Sequence, residues 1–96
     1  MKEVLYFYMS GCPYCTRADR LIAELKAEEP SLANVSIRMI EERQNKELAD
    51  SYNYYYVPCF WIDGKKLHEG APTKDKLRFV LSQAASQESG RDRARA

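Results

Sequence analysis

Residues 7–25 read FYMSGCPYCTRADRLIAEL: an apolar, β-favouring run breaks at Ser10-Gly11, and two cysteines then open a segment of helical period. Pro13 suits the first helical position, where its missing N–H would have had no intrahelical partner in any case; this makes Cys12 the candidate N-cap and places Cys15 in the first turn. Ala18, Leu21, Ile22 and Leu25 recur at helical spacing, while Arg17, Asp19, Arg20, Glu24 and Lys26 fall on the opposite face. An amphipathic helix from Pro13 to about Glu29 is therefore predicted. A closely spaced cysteine pair is expected where a strand turns into a helix.

Upstream, VLYFYM at 4–9 is continuously apolar, the pattern of a strand covered on both faces. Downstream, Pro30 and Ser31 end the helix, and VSIRMI at 35–40 alternates as a strand with Val35, Ile37 and Met39 inward. Glu41 to Ser51 carries Leu48 and Ala49, followed by Tyr52, at spacing that predicts a short helix. Cys59 to Ile62 is an apolar strand, Asp63-Gly64 is a hairpin turn, and Lys65 to Glu69 is a polar return strand at a sheet edge. Thr73 is a candidate N-cap for a last helix whose stripe is Leu77, Val80, Leu81 and Ala84. The order β-α-β-α-β-β-α implies an α/β fold: a parallel βαβ half joined to an antiparallel hairpin, with helices covering a mixed sheet. One domain at 1–86 is expected, with 87–96 (QESGRDRARA) as a flexible tail.

Ninety-six residues, 45% of them apolar and 30% charged, make one folding domain and exclude both a large catalytic scaffold and a disordered chain. Fifteen basic against fourteen acidic residues leave a net charge of +1, which gives no electrostatic case for nucleic acid or for an anionic membrane. Three cysteines are too few for a disulfide framework. The opening MKEVLYFYMSGC lacks the core of a signal peptide, and no run is long enough to span a bilayer, so a cytoplasmic protein is expected.

The chemistry lies in CPYC. A thiolate at Cys12 can accept the unpaired backbone N–H of Tyr14 or Cys15 and sits at the positive end of the helix dipole, so its pKa is expected to fall. Cys12 is then the attacking thiol. Cys15, one turn in, resolves the mixed disulfide. Arg17 and Arg20 either add positive potential here or are simply solvated, and Tyr14 is either a rim contact for substrate or an ordinary surface aromatic. A zinc cluster of Cys12, Cys15, Cys59 and His68 would lack the second close ligand pair of structural sites, so no metal is expected. Cys59 is expected to act as a buried small hydrophobe and His68 as a hairpin residue. Tyr52, Tyr54, Tyr55 and Tyr56 are expected chiefly to support core and loop, with partner recognition second.

With FYMSGCPYC at 7–15 and YVPCFWIDGKKL at 56–67, the chain resembles a dithiol glutaredoxin within the thioredoxin-fold superfamily. The resemblance implies a thioredoxin-like fold with a four-stranded mixed sheet and three main helices. It implies that Pro58 is cis and faces the active-site turn, with the Val57 N–H and carbonyl pairing the cysteinyl part of glutathione. Three positions depart from the glutaredoxin pattern: Met9 stands for a Lys, Tyr56 for a Thr, and LHEG at 67–70 for a Gly-Gly. HEGAPTKDKLRFVL at 68–81 looks instead somewhat like the end of a thioredoxin.

On this basis the chain is expected to reduce protein disulfides or glutathionylated cysteines as a monomer, with glutathione as cosubstrate and no permanently bound cofactor. Two alternatives stand beside it. One is a thioredoxin-like disulfide reductase reloaded by a flavoprotein reductase; the other is an iron-sulfur carrier ligated by Cys12 of two chains and two glutathione molecules.

Overall fold

A computed structural model describes residues 1–86, so the tail expected at 87–96 lies outside the described residues. The elements run β1 (Val4–Tyr8), α1 (Pro13–Glu28), a single 3-10 turn (Pro30–Leu32), β2 (Ile37–Glu41), α2 (Lys46–Asp50), β3 (Cys59–Ile62), β4 (Lys65–Glu69) and α3 (Lys74–Ser86). The sheet order is β2-β1-β3-β4, with β1 and β2 parallel and the other two pairings antiparallel. This is the thioredoxin-like α/β fold, with four strands, three helices and the order β-α-β-α-β-β-α.

The continuous apolar run of β1 follows from its central place in the sheet. Val4 and Tyr6 point into a core shared with Ala18, Ile22 and Leu25 of α1 and Leu77, Val80, Leu81 and Ala84 of α3. Leu5 and Phe7 point to the other face, where a smaller cluster gathers Ile40, Ala49, Cys59 and Trp61. Period-two alternation therefore feeds two cores, and neither face of β1 is left polar. The α3 stripe read from the sequence is buried throughout, and so is that of α1 except Leu21, which is partly buried against the same core.

The Asp63-Gly64 turn has positive φ at both residues, 50° and 77°, as a two-residue hairpin requires. The Thr73 hydroxyl accepts the Lys76 N–H at 3.2 Å and caps α3. Among the described residues, no helix is long and apolar enough to cross a membrane.

The third segment departs from expectation. The strand predicted at 35–40 begins at Ile37 and runs on to Glu41, which pairs in register with Tyr8. Met39 is half exposed, because β2 lies at the open edge of the sheet, whereas Ile40 is buried against the second cluster. The helix predicted from Glu41 shrinks to Lys46–Asp50. Its first residues instead form a turn organised by Glu41, whose carboxylate accepts the N–H of Arg43 at 2.6 Å and of Gln44 at 3.3 Å.

The tyrosine cluster divides. Tyr52 and Tyr54 pack on Phe7 with ring centroids at 4.9 and 5.1 Å, and Tyr52 also meets Trp61 edge-on at 4.9 Å. Tyr55 and Tyr56 are 83% and 67% exposed.

Candidate active site

Strand β1 ends at Tyr8, and the chain turns back through Gly11 at φ 84°, a conformation that costs glycine little and a side chain considerably more. The turn is closed by the Cys12 N–H, which donates to the Met9 carbonyl at 3.1 Å. Cys12 is in extended conformation (φ −78°, ψ 121°) as the N-cap of α1, Pro13 occupies the first helical position, and the Cys12 carbonyl accepts the Thr16 N–H at 3.0 Å. The cysteines therefore sit one helical turn apart at the mouth of α1.

Their environments differ. Cys12 is half-buried, and Tyr14 beside it is exposed, whereas Cys15 is 2% exposed. Burial pushes the Cys15 thiol up to about 12; the Met9 backbone opposes the rise and the neighbouring Cys12 side chain adds to it. One expectation is corrected: the Cys12 side chain makes no capping hydrogen bond to the helix N–H groups. A thiol is a weak acceptor, so the absence of this cap costs the helix start little. Arg20 pairs with Glu24 at 3.6 Å, on the solvent side of α1.

Two anchors hold this turn that the sequence did not reveal. Beneath Cys15, the buried Tyr6 hydroxyl shares its one proton between Asp19 Oδ1 at 2.8 Å and the Cys15 carbonyl at 3.0 Å. Burial first, and the Asp19 carboxylate second, push that hydroxyl well above the usual phenol range. Beside Ser10, Glu41 Oε2 accepts the Ser10 N–H at 2.8 Å, and Arg43 Nη2 bridges to the same Glu41 oxygen at 2.9 Å and to the Ser10 carbonyl at 3.0 Å. These N–H groups hold the Glu41 carboxyl well down, to about 2: the Ser10 N–H has the largest effect and Arg43 adds to it. Tyr6 was legible in principle, since a tyrosine in a doubly covered strand must find a partner for its hydroxyl.

The segment before β3 lies at the same end of the sheet. The Val57–Pro58 peptide is cis, Pro58 is buried and Val57 half-buried. The β1–β3 register ends at the Phe7–Cys59 pair, so Val57 and Pro58 lie just beyond it, at the end of the sheet where β1 gives way to the Cys12 turn. Five of the residues singled out in the sequence, Cys12, Pro13, Cys15, Val57 and Pro58, thus belong to one end of the sheet, with Tyr14 exposed on its rim.

Cys59 belongs elsewhere. It is fully buried on the α2 face, its sulfur accepts the Trp61 indole N–H at 3.1 Å, and burial pushes its thiol up to about 12. The His68 ring lies 3.2 Å from the Gly70 carbonyl and stacks over Phe60 on the opposite face. Among the described residues, no group of three or more His, Cys, Asp or Glu is placed to hold a metal ion.

Comparison with known proteins adds the lineage. Residues 3–82 match the family model described as Thioredoxin domain. A thioredoxin of Methanocaldococcus jannaschii is 35% identical over 75 residues, covering 78% of this chain and 86% of that protein. Glutaredoxin-C4, chloroplastic, of Oryza sativa subsp. japonica is 33% identical over 64 residues, covering 67% of this chain but 47% of that protein. The crystal structure of Fasciola hepatica thioredoxin superposes with a TM-score of 0.61 at 25% identity, covering 85% of this chain and 79% of that one.

The glutaredoxin assignment drawn from FYMSGCPYC and YVPCFWIDGKKL is overturned by the family model and by the relative that covers most of both chains. The reason is local: the two matching stretches are short and do not fix the rest of the site. Met9, Tyr56 and the LHEG segment, spread over the rest of the site, already departed from the glutaredoxin pattern.

Proposed function

The chain belongs to the thioredoxin-domain family, and from that premise we propose that it is a protein disulfide reductase reloaded by a flavoprotein dithiol reductase. The observation that carries this reading is the asymmetry of its two thiols: Cys12 is reachable at the mouth of α1, and Cys15 is sealed in the first turn behind it. Thiol–disulfide exchange needs one sulfur that meets the substrate and a second that does not compete for it.

In this mechanism the Cys12 thiolate attacks one sulfur of a substrate disulfide. A Cys12–substrate S–S bond forms, and the other substrate sulfur leaves as a thiolate that takes up a proton. Cys15 then loses its proton and attacks the Cys12 sulfur, releasing the second substrate thiol. The substrate has gained two electrons and two protons, and the protein carries a Cys12–Cys15 disulfide. The dithiol of the flavoprotein returns both electrons by the reverse exchange.

Pro13 sets the start of α1 and so the position of Cys12. Val57 and Pro58 form the wall against which a cysteine-containing peptide would lie, with Tyr14 at its rim. A reducing compartment such as the cytoplasm is the setting this reading requires.

The test is to oxidise the protein and incubate it separately with glutathione and with a flavoprotein reductase system supplied with NADPH. Rapid loss of the disulfide with the reductase, and slow loss with glutathione, is the expected result. Rapid reduction by glutathione with none by the reductase would overturn the choice of electron donor.

A further inference from the structure

One carboxylate holds both backbone N–H groups that lead into the Val57–Pro58 segment. Glu69, the last residue of β4, directs Oε2 to the N–H of Tyr55 at 2.8 Å and of Tyr56 at 3.0 Å. Its other oxygen pairs with the Lys66 ammonium, which also donates to the Asn53 carbonyl at 3.3 Å. The next residue, Gly70, donates its N–H to the Pro58 carbonyl at 2.9 Å. The end of β4 thus fixes the approach to β3 at Asn53, Tyr55, Tyr56 and Pro58, and Val57 lies between these attachment points, half-buried.

We propose that Glu69 is a positioning residue for substrate: by holding the Tyr55 and Tyr56 amides it presets the segment whose Val57 backbone receives a cysteine-containing peptide, and it sets the outward Tyr55 and Tyr56 rings beside that peptide. The proposal rests on the reductase reading above.

Three observations carry it. Residues 53–58 form neither helix nor strand, so no ladder orders them, and their conformation depends on such side-chain contacts. Both N–H bonds go to an ionised acceptor, the strong kind of hydrogen bond. The aromatic rings so placed remain exposed rather than packing on the core as Tyr52 and Tyr54 do, which leaves them free to meet a partner. A receiving segment ordered in advance lowers the entropy lost when an extended peptide adds to it.

The test compares two oxidants of the pre-reduced protein. One is a synthetic disulfide-linked peptide, which needs the receiving segment; the other is dithiobis(nitrobenzoate), a small aryl disulfide that needs only the Cys12 sulfur. In Glu69→Ala the peptide KM should rise about tenfold with kcat within about twofold, the scale set by losing charge-assisted hydrogen bonds. The rate with the aryl disulfide should stay within about twofold, and amide exchange at Tyr55 and Tyr56 should quicken. Glu69→Gln keeps one acceptor oxygen and should fall between wild type and Glu69→Ala; if Glu69→Ala does not fold, Glu69→Gln carries the comparison. Equal losses with both disulfides, or an unchanged peptide KM, would overturn the assignment. If wild type itself reduces no peptide disulfide, the reductase reading fails and this role falls with it; if wild type is active and the variants match it, only the role of Glu69 falls.

Discussion

The Glu41 carboxylate accepts the Ser10 N–H at 2.8 Å, and so ties the end of an edge strand to the turn that delivers Cys12. Because Arg43 joins the same carboxylate to the Ser10 carbonyl, both polar groups of that peptide residue are engaged by β2 and the turn after it. Glu69 does the equivalent for the segment before β3 from the other edge of the sheet. The two loops at this end of the sheet are thus each fastened by one ionised carboxylate.

Acid should loosen both fastenings. Glu41 and Glu69 are each held down to about 2 from an ordinary value of 4.5, Glu41 chiefly by the Ser10 N–H and Glu69 chiefly by Lys66. A carboxyl whose folded value is depressed adds stability that is fully present above its unfolded value and is lost as pH falls through the folded one. Urea midpoints should therefore hold steady from pH 7 to about 5 and fall from there toward pH 2. Glu41→Gln should flatten part of that fall while lowering the midpoint at neutral pH. A midpoint independent of pH in the wild-type protein would contradict the two contacts.

Thiol labelling should separate the three cysteines. Cys15 and Cys59 are buried, and burial pushes each thiol up to about 12, so neither should supply thiolate at pH 7. Brief exposure of the reduced protein to iodoacetamide should give a single adduct on Cys12 by mass spectrometry, and labelling in denaturant should give three. Cys12→Ser should abolish disulfide reduction, whereas Cys15→Ser should accumulate a mixed disulfide with substrate. A first adduct on Cys15 would reverse the assigned roles.

How far the fold was legible depended on what each residue had to satisfy. VLYFYM announced a central strand, and the stripes of α1 and α3 announced their buried faces, because apolar burial leaves a periodic record. The Cys12-Pro13 start of α1 was legible for a similar reason, since proline suits so few helical positions. Glu41 left no such record. Its charge reads as helix surface, and only the parallel register with Tyr8 carries it next to Ser10. Glu69 likewise reads as a polar edge residue until the backbone of residues 55 and 56 comes within its reach. Contacts from one side chain to a distant backbone N–H have no sequence period, which is why the CPYC turn was legible and its supports were not. The family was misread because the likeness of FYMSGCPYC and YVPCFWIDGKKL outweighed the departures at Met9, Tyr56 and 67–70.

Tyr6→Phe should test the support beneath Cys15. The substitution keeps the stacked contact with Phe60, 4.6 Å between centroids, and removes only the hydroxyl bonded to Asp19 and the Cys15 carbonyl. A loss of about 1–2 kcal/mol in urea unfolding is expected, the scale for removing a partly buried hydrogen bond. Tyr6→Ala should cost about 3–5 kcal/mol, because it also opens a cavity in the main core. Equal losses for the two variants would show that the hydroxyl, and not the ring, supplies the stability.

The divided tyrosine cluster predicts a matching division of effects. Tyr52 lies between Phe7 and Trp61, so Tyr52→Ala removes two aromatic contacts from the smaller core and should cost about 2–4 kcal/mol. Tyr55 is 83% exposed, and its link to Glu69 runs through the backbone, which an alanine retains; Tyr55→Ala should therefore change stability by no more than about 0.5 kcal/mol. Activity should run the other way. If the exposed rings meet the peptide, Tyr55→Ala and Tyr56→Ala should each raise the KM for a peptide disulfide, while Tyr52→Ala should leave it close to wild type at temperatures where the variant stays folded. Urea unfolding and steady-state kinetics on the same three variants check both halves, and a Tyr55→Ala protein as unstable as Tyr52→Ala would place that ring in the core after all.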